Sequence, residues 1–148
     1  MHSKIGVDRS PEAGHGGTIS WKEVQIMLEF NSILVFSENP RKLADFYGKV
    51  FRKDPGWSEG GYYGFMVGQG YITFGPHDNI RGKNPNPERT MFNFETRDVK
   101  GEFERIKKLG AVVVAEPYSP AEVQEMVIAT FADPDNNYFQ LMTPWEKK

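Results

Sequence analysis

Phe131-Ala132-Asp133-Pro134-Asp135-Asn136-Asn137-Tyr138-Phe139-Gln140-Leu141-Met142 reads as a turn followed by a short strand. Pro134 fixes φ, and Asn136 or Asn137 can adopt a left-handed backbone at little cost. Beyond the turn, alternation puts Tyr138, Gln140 and Met142 on one face of a strand and Phe139 and Leu141 on the other. Gln140 is the polar residue in mid-strand. Whether its position is built for a metal ligand decides what kind of chemistry the chain can do.

Working back from this stretch, Met126 to Phe131 and Ala111 to Ala115 read as strands. Gly110 closes a helix that Asp98 caps, with Val99, Phe103, Ile106 and Leu109 as its apolar positions. Glu102 and Glu104 lie early in that helix and Lys107 and Lys108 late, which suits the helix dipole. Met91 to Thr96 is the strand before it. Upstream, residues 76–89 form a polar linker holding Pro76, Pro85 and Pro87.

The same order occurs before the linker. Val24 to Phe36 alternates as a long strand, with Phe30, Ser32, Leu34 and Phe36 on one face and Asn31, Ile33 and Val35 on the other. Asn39-Pro40 is a sharp helix start, and Leu43, Phe46, Tyr47, Val50 and Phe51 give that helix one apolar face. Asp54-Pro55-Gly56 breaks the pattern. Trp57-Ser58, Tyr62 to Val67 and Tyr71 to Phe74 follow as short strands around Gly60-Gly61 and Gly68-Gln69-Gly70. Under a shift of about 59 residues, Asn39 meets Asp98, Ala44 meets Phe103, Tyr47 meets Ile106 and Val50 meets Leu109. The order is therefore βαβββ, linker, βαβββ. This is an α+β fold of two tandem modules, about 24–75 and 90–145, with the helices outside an incompletely closed eight-stranded cleft. Residues 1–23, polar and Gly-rich, read as a flexible extension, so His2 and His15 are incidental.

Composition narrows the function classes. The 148 residues suffice for one domain with a real core, and the net charge of −2 with scattered basic residues argues against a nucleic-acid surface. Without cysteine there are no disulfides, thiolate metal sites or Cys nucleophile, which fits a cytoplasmic protein. No apolar run approaches the roughly 20 residues of a membrane span, and no secretory signal is evident. No Ser-His-Asp set is apparent, and the Gly-rich pieces are turns rather than phosphate loops. Aromatics reach 14% and imply aromatic packing or an aromatic-lined pocket.

Ser37-Glu38-Asn39-Pro40 through Asp45-Phe46-Tyr47, the turn Asp133-Pro134-Asp135-Asn136-Asn137 and the duplicated order together resemble the vicinal oxygen chelate superfamily, that of glyoxalase I, bleomycin-resistance proteins and extradiol dioxygenases. Asn136 stands where that family's turn usually has Gly. The resemblance covers about residues 25–145. It implies a cleft between the modules, frequent homodimers and, in the metal-using members, a divalent ion held by His, Glu or Gln from four strands. Carried onto this chain, those positions fall on Ser32, Thr73, Met91 and Gln140. That set has no imidazole and no carboxylate, so the expectation is no metal and no other cofactor, with a divalent ion as the alternative. Glu29, His77 and Glu95 are the candidates for a displaced site.

The expected function is then binding of a small aromatic or cationic molecule in the cleft, by a homodimer with no nucleic-acid or membrane partner. The expected lining is Phe30, Ser32, Leu34 and Phe36, then Tyr71 and Thr73, Met91, Asn93 and Glu95, and Tyr138, Gln140 and Met142, with Trp57, Tyr63 and Phe65 at the rim. Two alternatives stay open. One is a lyase-, isomerase- or dioxygenase-type enzyme with a displaced metal or with Glu95 as acid or base. The other is a non-catalytic interaction module.

Overall fold

The computed structural model describes residues 27–144. Two sheets, each covered on one face by a helix, carry the fold. The first is built from β1 (Ser32–Phe36), β2 (Trp57–Glu59), β3 (Tyr62–Val67) and β4 (Gly70–Gly75), in the order β1-β4-β3-β2. The second is built from β5 (Met91–Glu95), β6 (Val112–Tyr118), β7 (Ile128–Ala132) and β8 (Tyr138–Met142), in the equivalent order β5-β8-β7-β6. Helix α1 (Pro40–Phe51) follows β1, and α2 (Val99–Lys108) follows β5. A single 3-10 turn, Pro87–Arg89, interrupts the linker. The element order and the α+β class agree with the reading from sequence.

β1 is shorter than its sequence pattern suggests. Residues 27–31 have no strand structure and are exposed, so Phe30 stands outside β1; the part of the expected strand before residue 27, and the extension 1–23, lie outside the described residues. β1 pairs parallel with β4, and β5 pairs parallel with β8. A strand needs a partner along its backbone, and the register of β4 begins opposite Ser32, with Tyr71.

Both helices begin on the same local device. The Asn39 side chain accepts from the Lys42 amide, and the Asp98 side chain from the Gly101 amide. One residue pair further back, the Ser37 hydroxyl accepts from the Asn39 amide and the Thr96 hydroxyl from the Asp98 amide. Leu43, Ala44, Tyr47 and Val50 are buried on α1, and Val99, Phe103 and Ile106 on α2. Leu109, at the C-terminal cap of α2, is 39% exposed, so its equivalence to the buried Val50 does not extend to burial.

The two modules share one core, and rings join them. Tyr47 stacks on Phe74, with centroids 4.9 Å apart, and meets Phe139 of the second sheet edge-on at 5.5 Å. Phe51 touches Phe65 on one side and Phe94 on the other. Phe131 lies between Phe139 and Phe103. Each such pair adds about 0.5–1.5 kcal/mol beyond the area it buries. Most of the aromatic content is therefore core. Arg105 of α2 closes the junction by donating to the Lys49 and Val50 carbonyls, which the end of α1 would otherwise leave unsatisfied. It also pairs with Glu102 at 2.7 Å, and that hydrogen bond, opposed by partial burial, holds the Glu102 carboxyl below its usual range.

Candidate functional site

In each sheet one parity of residues packs against the helices and the other parity faces away, so strand register places every candidate. On the first sheet Ser32 sits beside Tyr71, Leu34 beside Thr73 and Phe36 beside Gly75. Thr73 in turn is opposite Gly64, Tyr71 opposite Met66, and Gly64 opposite Trp57. These residues share the open face. Tyr63 pairs with Phe74 and Phe65 with Ile72, which is the core parity. Phe65 is fully buried and Tyr63 packs on the core, so neither stands at the rim as expected from sequence. Trp57, at 45% exposure, does lie on the open side.

The open face of the first sheet has an aromatic floor. A Cβ at Gly64 would run into the ring and hydroxyl of Tyr71, and one at Gly75 into the ring of Tyr62. The two tyrosine rings therefore lie over positions that carry no side chain, and Trp57 lies next to Tyr62 at 6.5 Å between ring centroids, tilted by 41°. Tyr62 was missed in the sequence reading. Gly64 and Gly75 were the signal: a glycine inside a strand marks a close approach from above the sheet.

On the second sheet, Met91 pairs with Tyr138, Asn93 with Gln140 and Glu95 with Met142, and all six share one face. Met91, Asn93 and Glu95 are exposed. Gln140 is half-buried, and its amide donates to the Thr130 hydroxyl of β7 at 3.2 Å.

Ser32, Thr73, Met91 and Gln140 thus all lie on the open faces, but their chemistry does not fit a divalent ion. They offer two neutral hydroxyls, a thioether and one amide oxygen, with no negative charge. Among the described residues, no three His, Cys, Asp or Glu side chains gather to hold a metal. Of the displaced candidates, Glu29 is exposed ahead of β1. His77 accepts the Asn79 amide through Nδ1 and packs its ring edge-on against Phe36 at 5.1 Å, so it shapes the start of the linker.

The turn 133–137 ties the modules together. Asp133 Oδ1 accepts the amides of Asp135 and Asn137, and Oδ2 accepts the Tyr47 hydroxyl of α1 at 2.7 Å. Asn136 takes the left-handed conformation at φ 66° that the turn requires. Asp135 accepts the Ser37 hydroxyl at 2.6 Å, and Asn84 of the linker bonds to Asp135, Asn136 and Asn137. Burial pushes the Tyr47 phenol well above its usual range, and the Asp133 charge and hydrogen bond add to that. Burial also raises the Asp133 carboxyl, against the pull of the hydrogen bonds from Asn137, Tyr47 and Asp135.

A family model described as a glyoxalase-like domain matches residues 32–142. No curated protein sequence matches the chain. Solved structures do. The fosfomycin resistance protein FosX from Listeria monocytogenes, solved with Mn(II) and sulfate, is 21% identical, with 80% of this chain and 92% of that one covered at a TM-score of 0.63. A glyoxalase/bleomycin resistance protein/dioxygenase family enzyme from Burkholderia phytofirmans is 19% identical, covering 78% and 98% at 0.63. A glyoxalase-related enzyme from Fulvimarina pelagi is 14% identical, covering 79% and 89% at 0.64. At these identities the likeness is one of fold.

Proposed function

The chain belongs to the glyoxalase-like family within the vicinal oxygen chelate superfamily, and on that premise we propose that it is a metal-independent small-molecule binding protein whose ligand lies on the open sheet faces. The observation that carries this reading is the aromatic floor of Trp57, Tyr62 and Tyr71, laid over glycines beside positions where metal-using members keep their ligands. Flat rings stack on planar ligands, and Glu95 on the open face of β5 supplies a carboxylate for a cationic one. Leu34, Met66, Met91 and Val112 are exposed apolar side chains on these faces, which supports a homodimer whose second copy completes the cleft.

The test is a titration, in buffer containing chelator, with planar aromatic cations and their neutral analogues. Saturable binding that chelator leaves unchanged is expected, and Tyr71→Ala should weaken it about tenfold, the worth of one ring contact with a desolvated cation. Binding that appears only after adding a divalent metal, or that is indifferent to both Tyr71→Ala and Trp57→Ala, would contradict the reading.

A further inference from the structure

β1 is paired on one side only. Its partner is β4, and along its other edge runs a groove of about 560 Å³, within the roughly 300–1,000 Å³ typical of small-ligand sites. One wall is β1 itself, and the opposite wall is the linker segment 79–85, with Phe92 and the turn residues Asp135 and Asn137 completing the lining. The groove borders the open face, sharing Leu34 and Phe36 with it, but none of Trp57, Tyr62 and Tyr71 lines it.

The lining combines apolar and cationic side chains. Leu34, Ile80, Pro85 and Phe92 are apolar members of the lining. Arg81 and Lys83 bring two positive charges to the lining, whose one carboxylate, Asp135, is already hydrogen-bonded to Ser37; the Glu38 carboxylate does not line the groove and accepts the Gly82 amide between them. Among the described residues neither Arg81 nor Lys83 forms an ion pair; the Arg81 guanidinium donates to the Ile80 carbonyl. The segment carrying these cations is held in place. Gly82, between them, adopts a left-handed φ of 67° and gives its amide to the Glu38 carboxylate at 2.9 Å. Asn84, next to Lys83, is fixed to the turn 133–137 through its amide, its carbonyl and its side chain. Two exposed cations without ion-pair partners among the described residues, carried on a hydrogen-bonded backbone segment beside apolar lining residues, suit an amphipathic anion.

We propose that this groove is a second ligand site, for a small carboxylate with an apolar tail. The carboxylate sits on Arg81 and Lys83, and the tail runs along Leu34, Ile80 and Phe92. A planar carboxylate suits the guanidinium fork of Arg81, and Lys83 adds a point charge.

The test uses the full chain and a series of straight-chain carboxylates from butanoate to octanoate, with the matching alcohols and alkylammonium ions, followed by titration calorimetry and backbone amide shifts. Saturable carboxylate binding is expected, with shifts concentrated at Gly82 and Asn84 and affinity rising with chain length. The alcohols should bind about tenfold more weakly or worse, and Arg81→Ala and Lys83→Ala should each cost about tenfold. Both side chains are exposed, so these variants should keep the wild-type fold. Tyr71→Ala should leave carboxylate binding unchanged, which separates this site from the aromatic floor. Three results would overturn the proposal: no saturation anywhere in the series, alcohols binding as well as carboxylates, or carboxylate binding lost in Tyr71→Ala and retained in the Arg81→Ala/Lys83→Ala double variant.

Discussion

The two modules repeat the same opening and then diverge at one turn. Strand, hydroxyl, cap and helix recur from Ser37 and Asn39 to Thr96 and Asp98. The hairpin between β3 and β4 turns tightly at Gly68, which has φ 60° and open space around it. The equivalent connection between β7 and β8 is the turn 133–137, which bonds to α1, to Ser37 and to the linker. The Ser37 hydroxyl therefore holds the other module as well as its own helix, whereas the Thr96 hydroxyl, among the described residues, bonds only to the Asp98 amide. The repeat built the fold, and the asymmetry joins its halves: one turn became the fastener that aligns both sheets and one wall of the β1 groove.

Breaking that fastener should have the largest effect. Asp133→Ala would leave the Tyr47 hydroxyl and the amides of Asp135 and Asn137 without their acceptor, at a cost of about 3–5 kcal/mol. Gln69→Ala in the first module's hairpin should cost within about 0.5 kcal/mol. Urea midpoints at unchanged slope would measure both, and similar losses would remove the asymmetry.

Tyr47→Phe comes next, at about 1–3 kcal/mol. Ile106→Val, at the matching position of α2, should cost about 0.5–1.5 kcal/mol through packing alone. The tyrosine variant also has a pH signature. The native phenol keeps its proton above the pH where an unfolded tyrosine loses it, so stability falls as pH rises beyond about 10. Tyr47→Phe should flatten that alkaline loss. Asp133 is also raised and acts in the same direction: the native state binds its proton first, so its contribution improves as pH falls through its native value and is complete below about 4. Melting curves across pH would check both signs.

A smaller contrast separates the two hydroxyls. Ser37→Ala should cost about 1–2 kcal/mol because it loses both the Asn39 and Asp135 bonds, and Thr96→Ala about 1 kcal/mol. The smallest difference belongs to the caps. Asn39→Ala and Asp98→Ala should each cost about 1 kcal/mol and differ little. A cap pair that differed as widely as the two turns do would mean that the modules are not equivalent even where their geometry coincides.

Local signals made much of this legible. The caps, the glycines and the 3.6-residue period of the helices act within a few residues, so the duplicated order and the helix faces could be read directly. Strand faces were harder. Tyr62-Tyr63 and Phe65-Met66 are apolar on consecutive positions, so alternation alone could not say which parity meets α1; only Gly64, set opposite Thr73 in the sheet, marks the open side. The length of β1 was overread because residues 27–31 continue an alternating pattern past the point where β4 provides a partner. The bonds of Asp133 and Asp135 to Tyr47 and Ser37, and the groove walled by residues 79–85, join segments far apart in the chain, and no local pattern announces them.

The most direct test of the account is elemental analysis of freshly purified protein, with melting temperatures before and after chelator. The account predicts substoichiometric metal and an unchanged melting temperature, because Ser32, Thr73, Met91 and Gln140 offer a divalent ion no charge. A stoichiometric divalent metal whose removal lowers the melting temperature would contradict it.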